Sequence, residues 1–209
     1  MIRGSYLPVV PNPPIAIVHL DESCLGNGRE GDNPGGAGGL IEVRTRPGIQ
    51  RRDFNLCEPA TTNNRMALAG AARALEILSA KDRRLSVMMI SDSQYLVRGI
   101  SEWVPGWIRR NWTRKGGAIE NLALWQALVA AERKHRVQWS WVRGHAGHPK
   151  NEYANDLAVE AARTQIAQPG AVESGFLEWL EKHRKKKKYL DYDPDQAFQE
   201  LEQKGLFAG

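Results

Sequence analysis

Hydrophobic and polar positions change period along this chain, and the changes mark an alternating succession of strands and helices. Ile15 to Leu20 is a short apolar run ending at Asp21, as expected of a strand buried on both faces. Gly26 to Gly39 is glycine-rich, holds Pro34, and reads as a connection to a second strand at 40–44. Gln50 to Cys57 alternates well enough to be a third strand, so the three predict an antiparallel meander. From Asn63 the period lengthens: Met66, Leu68, Ala71, Ala72, Leu75 and Leu78 recur at helical spacing until Lys81 and Asp82. Leu85 to Ile90 is again a buried strand. It delivers Asp92 at its carboxyl end, where open α/β sheets place their sites. A short helix over 93–102, a longer one over 122–134, a last strand over 137–142 and a helix over 151–164 complete the pattern.

Both ends depart from this rhythm. Residues 1–14 hold Pro8, Pro11, Pro13 and Pro14, which forbid regular ladders and predict an extended arm. Pro169-Gly170 signals a linker, after which Phe176, Leu177, Trp179 and Leu180 fall at helical spacing. Asp193-Pro194-Asp195 opens a second short helix with an apolar stripe at Phe198 and Leu201. The chain therefore divides into an arm (1–14), an α/β domain (15–164) and a basic helical extension (165–209). The extension's stripe is read as docking onto the parent domain.

Composition narrows the function classes. With 209 residues and 42% hydrophobic content, the chain can bury one good core with modest extensions. The formal charge of +5 is unevenly placed: basic residues cluster at Arg109–Lys115 and Lys182–Lys188, which favours a polyanionic partner over a merely solvated face. Cys24 and Cys57 show neither metal-type spacing nor a disulfide framework, so free thiols in a reducing compartment are expected. No apolar run approaches the roughly 20 residues that span a bilayer, and no charged-then-apolar leader pattern is present. These features predict a cytoplasmic protein without membrane association; nothing demands more than a monomer.

Candidate chemistry gathers on carboxylates. Asp21 and Asp92 end two strands and Asp156 rides the helix after the final strand, so three acids far apart in sequence can converge on one sheet edge. Oxygen-only clusters select hard ions such as Mg²⁺ or Mn²⁺, and a pair of them about 4 Å apart suits phosphodiester displacement. Around these acids stand the words Asp21-Glu22-Ser23-Cys24-Leu25-Gly26-Asn27, Thr62-Asn63-Asn64-Arg65-Met66, Ser91-Asp92-Ser93-Gln94-Tyr95, Asn121-Leu122-Ala123-Leu124-Trp125, and Trp141 through Glu152 followed by Asp156.

In this order the words resemble type 1 ribonuclease H over about residues 15 to 164. The resemblance implies an RNase H-like α/β fold with a five-stranded mixed sheet flanked by helices. It implies cleavage of the RNA strand of RNA–DNA hybrids, and an Asp-Glu-Asp-Asp tetrad holding two Mg²⁺, with Mn²⁺ able to substitute. Carried over by position, Asp21 resembles the acid bridging both ions, Asp156 the ligand of the water-activating ion, Asp92 a ligand of the other, and His145 the loop histidine that assists proton transfer or product release. The family's glutamate falls on Ala67, whose methyl group cannot coordinate a cation. Glu22 could replace it, but strand alternation is expected to aim it away from Asp21's side. The sequence thus predicts an impaired enzyme, read as a deliberate substitution rather than natural decay, in which Ala67→Glu restores the rate. A non-catalytic hybrid-binding protein is the alternative.

The resemblance also implies substrate contacts. Asn27, Asn63, Asn64 and Gln94 match residues of the minor groove, where 2′-hydroxyls distinguish RNA from DNA. Thr62 and Asn121 match a pocket gripping a DNA phosphate, although an arginine found there in some relatives is Ala60 here. Trp103, Trp107 and Trp112, interleaved with Arg109, Arg110, Arg114 and Lys115, match a basic protrusion that binds the DNA strand.

Overall fold

The computed structural model describes residues 15–26, 33–144 and 146–204. β1 (Ile15–Cys24), β2 (Gly35–Thr45) and β3 (Gly48–Glu58) form the antiparallel meander. α1 (Asn63–Ser79) follows, capped by the Thr62 hydroxyl accepting from the Arg65 amide, and leads to β4 (Ser86–Ser91), parallel to β1. The predicted helix over 93–102 is instead α2 (Gln94–Arg98), a π-helical turn (Gly99–Trp103) and α3 (Val104–Arg109). α4 (Leu122–Glu132), β5 (Arg136–Trp141) parallel to β4, and α5 (Pro149–Thr164) complete the predicted domain.

Two differences from the sequence reading have physical causes. The glycines expected in a connection at 35–39 lie inside β2, because helices approach that strand too closely for side chains. A Cβ on Gly36 would meet the Ala162 nitrogen at 2.5 Å, and one on Gly38 the Ala158 nitrogen at 2.6 Å, both on α5. The sheet also has six strands in the order β5-β4-β1-β2-β3-β6, not five. The sixth, β6 (Val172–Glu173), is two exposed residues of the extension paired with Arg52 and Asp53, too short to carry an alternation signal.

The two faces of the sheet have different covers. Ala16, Val18, Leu20 and Ile41 pack with α1 and α4 in the main core. The opposite face receives α5 and the extension's helices, α6 (Phe176–Lys185) and α7 (Gln196–Lys204). Phe176 and Leu180 of α6 bury against Leu40 and Tyr153, while Phe198 and Leu201 of α7 cover Ile17. A buried ionic group fastens this side: Lys150 Nζ donates to Glu42 at 2.7 Å and to the Pro194 carbonyl at 2.7 Å, and Arg51 bridges Glu42 and Asp195. Glu42 and Lys150 are almost fully buried, so neither charge could remain there without its partner. Among the described residues, no helix is long and apolar enough to cross a membrane.

Candidate active site

Asp21 sits near the end of β1 and Asp92 just beyond β4, neighbouring parallel strands whose register sets Leu20 beside Ser91. Asp21 is held at both oxygens: Oδ1 accepts from the Glu22 amide at 2.7 Å and Oδ2 from the Asn151 side chain at 3.2 Å. Gly144, next to His145, lies so close to Asp92 that a methyl group there would collide with the carboxylate. The Trp141 indole closes the same corner by donating to the Asp92 carbonyl at 2.9 Å.

The third carboxylate of the group is Glu22. Asp21, Glu22 and Asp92 each present an oxygen within 4.8 Å of the others, the combination among the described residues that could hold a metal ion. This corrects the expectation that alternation removes Glu22 from the cluster. Alternation does send Glu22 to the face opposite Asp21, but that is the face carrying α1. Its register partner Ala37 lies against Gly70 of α1, where an added Cβ would come within 2.8 Å of the Ala37 methyl. Ala67, one turn earlier on α1 and fully buried in the same core, leaves that side without a carboxylate of its own. The Glu22 side chain is long enough to reach round the strand end from there.

Burial and the neighbouring carboxylates of the cluster raise the pKa of Asp21 and Glu22. Burial, reinforced by Asp92, pushes the Asp21 carboxyl up to about 7. Burial, reinforced by Asp21 and Asp92, pushes Glu22 up to about 8 against the opposing hydrogen bond from Ser93. Glu22 Oε2 is buried with no hydrogen-bond partner. Three crowded carboxylates with an unsatisfied buried oxygen fit hard divalent cations, which accept all-oxygen ligands.

Asp156 lies outside this group. Asn151 marks the face of α5 turned to Asp21, and Asp156 stands about 140° round the helix from it. Its carboxylate is exposed and accepts the Trp179 indole N–H at 2.7 Å. The residue stacked above Asn151 at i+4 is Asn155, half-buried. The face of α5 that holds Asp21 therefore carries Asn151, while Asp156 is on the face turned to α6, contrary to the expectation that Asp156 joins Asp21 and Asp92. Asn151, Gly144 and Ser93 also touch the carboxylates and are not acids themselves; the i, i+4 spacing puts Asn155 on the same helix face as Asn151. His145 and Asn27 lie outside the described residues.

The expected substrate contacts fall on two surfaces. Thr62, Asn63, Asn64, Arg65 and Asn121 line one open cleft, bringing the two halves of the expected phosphate pocket together from α1 and the start of α4. Asn121 takes a left-handed backbone (φ 55°) and donates to the Tyr95 hydroxyl at 3.2 Å. Gln94 is exposed at the start of α2. The protrusion is a second cleft, lined by Tyr95, Trp103, Trp107, Arg109, Arg110 and Arg114. Trp107 is buried, and Trp103 and Trp112 are half-buried against the main core, so the rings form floor and support while Arg109, Arg110, Arg114 and Lys115 are exposed.

Comparison with known proteins bears on the family and the fold. The RNase H family profile matches residues 13–163. The chain is 46% identical over 145 residues to the ribonuclease H of Thiobacillus denitrificans, covering 69% of this chain and 90% of that one. It is 44% identical over 146 residues to the ribonuclease H of Methylococcus capsulatus, covering 69% and 87%. Among solved structures it is similar to LC9-RNase H1, described as a type 1 RNase H with the type 2 active-site motif, at 54% identity and TM-score 0.75 over 81% of this chain and 82% of that one. The foamy virus RNase H domain, at 16% identity and TM-score 0.60 over 73% of this chain and 96% of that one, shares the fold.

Proposed function

Because this chain belongs to the RNase H family, we propose that it hydrolyses the RNA strand of RNA–DNA hybrids, and that Glu22 serves as the carboxylate absent from position 67. The observation that carries this reading is the Asp21, Glu22 and Asp92 group, whose oxygens lie within 4.8 Å of one another. Asp21, Glu22 and Asp92, with the amide oxygen of Asn155, would hold two Mg²⁺ ions, for which Mn²⁺ can substitute. When bound, the ions neutralise charge on the phosphodiester and make water a competent nucleophile near neutral pH. The similarity to a type 1 RNase H with the type 2 active-site motif supports an arrangement that departs from the pattern with glutamate on α1.

The chain's own residues position the reaction. Asn151 and the Glu22 amide fix both Asp21 oxygens, so the carboxylate is oriented before any ion arrives. The bare Gly144 lets the loop lie directly against Asp92, and His145, the next residue in sequence, would supply an imidazole able to carry the proton to the departing ribose oxygen. Thr62 and Asn121 grip a phosphate of the DNA strand, the asparagines of α1 and Gln94 lie along the minor groove, and the Arg109–Lys115 rim meets the DNA backbone. The carboxylate group supports an active enzyme over a hybrid-binding protein. Incubation with a hybrid labelled in its RNA strand tests this: Mg²⁺-dependent cuts are expected, and Glu22→Gln should remove them. Tight hybrid binding without cuts in either Mg²⁺ or Mn²⁺ would instead establish the non-catalytic alternative.

A further inference from the structure

Lys185, Lys186, Lys187 and Lys188 are consecutive and all exposed, closing α6 and entering the turn after it. None of the four forms an ion pair among the described residues, whereas the neighbouring Lys182 pairs with Glu178 at 3.1 Å. The α5 carboxylates nearest this turn accept from neutral aromatic donors, Glu152 from the Tyr189 hydroxyl and Asp156 from the Trp179 indole, and neither pairs with a lysine of the run among the described residues. The four ammonium groups are therefore open to a polyanion.

The turn is also firmly built. Tyr189 stacks on Trp179 at 5.9 Å and 18°, and His183 lies 3.9 Å from the Trp179 ring. Lys187 and Tyr189 adopt left-handed backbone, φ 60° and 56°, which non-glycine residues keep only where their surroundings hold them. Glu152, the anchor of Tyr189, is adjacent on α5 to Asn151, the residue bonded to Asp21. Through these contacts the lysine turn is fixed to α5, the helix that also holds Asp21, on the α5 side of the sheet, while the Arg109–Lys115 rim belongs to the α1 and α4 side.

We propose that Lys185–Lys188 form a second phosphate-contacting patch, which takes the RNA strand of the hybrid beside the cut while the Arg109–Lys115 rim takes the DNA strand. This rests on the hybrid being the substrate. The test compares the full chain with a variant carrying Lys185→Gln, Lys186→Gln, Lys187→Gln and Lys188→Gln. Hybrid affinity is read across a salt series without divalent metal, so that a chain that binds but does not cut overturns the hydrolytic reading and leaves this one standing. The variant should bind about tenfold more weakly near 0.1 M salt, and its plot of log K against log salt should be shallower by about 0.9 for each lost phosphate contact. In Mg²⁺, KM should rise with kcat within about twofold of the parent. Neutral methylphosphonate linkages in the RNA strand beside the cut should weaken the parent and not the variant; in the DNA strand they should weaken both. An unchanged salt slope overturns the proposal, as does equal weakening of parent and variant by the RNA-strand linkages.

Discussion

The Glu22 carboxylate lies within 4.8 Å of that of Asp92, although strand alternation sends its Cβ to the opposite face of β1 from Asp21. The group therefore assembles around a strand end from both faces of the sheet. None of its three acids comes from α1, where position 67 is a buried methyl.

This makes position 67 testable against position 22. Glu22→Gln should lower the cleavage rate by about a hundredfold or more, as expected when a preorganised charge at a catalytic site is removed. Ala67→Glu alone should give no gain, because a second acid on that side meets an already crowded cluster. Combining the two should recover part of the loss. An Ala67→Glu protein many times faster than the parent in a hybrid-cleavage assay would show that Glu22 does not fill the role.

On α5 the expected outcomes separate adjacent residues. Asn155→Asp should lower the Mg²⁺ concentration needed for half-maximal rate, since it adds a charge on the face marked by Asn151. Asp156→Asn should leave the rate within about threefold, as an exposed surface contact is lost. The reverse ranking in Mg²⁺ titrations would return the fourth ligand to Asp156.

Removing the extension should destabilise the domain. Phe198 is fully buried over Ile17, so Phe198→Ala should cost about 3–5 kcal/mol in urea unfolding. Truncation after Thr164 should cost more, since it strips the Pro194 and Asp195 contacts from buried Lys150 and Arg51 as well. A truncated chain with the unfolding midpoint of the full one would show that the domain folds without its cover.

A pH effect should come from His135, buried beneath α1. The Leu85 amide donates to its Nδ1 at 3.3 Å, so the proton resides on Nε2, 3.2 Å from the Leu75 carbonyl. Burial pushes its pKa down, opposed by the Leu75 hydrogen bond. The folded state therefore binds the proton less readily than the unfolded one. The stability contribution is complete above the ordinary histidine pKa of about 6.5 and is lost as pH falls through that value towards the folded one. Denaturation midpoints measured from pH 7.5 to 5 should fall more steeply for the parent than for His135→Gln; parallel slopes would count against it.

At Gly144, substitution should act on the chemistry with the fold retained. Gly144→Ala places a methyl against the Asp92 carboxylate, so kcat should fall severalfold or more while the circular-dichroism melting temperature stays within about 3 °C. A normal kcat would mean that the loop relaxes away from Asp92 without consequence.

Much of this protein is written in local patterns. Apolar runs ending in Asp21 and Asp92, the helical period from Met66 to Leu78 and the succession of elements were all legible, because strand and helix burial impose periods of two and 3.6 on neighbouring residues. Proximity across the fold leaves no such trace. That Gly36 and Gly38 belong to a strand depends on how closely α5 approaches it, and that Asp156 meets Trp179 while Asn151 meets Asp21 depends on how α5 is rotated against the sheet. Glu22 is the clearest case. Alternation sets the side of its Cβ, but whether the carboxylate joins Asp21 and Asp92 depends on how β1 and β4 lie against each other and on how α1 covers that face, which are distances between elements far apart in sequence.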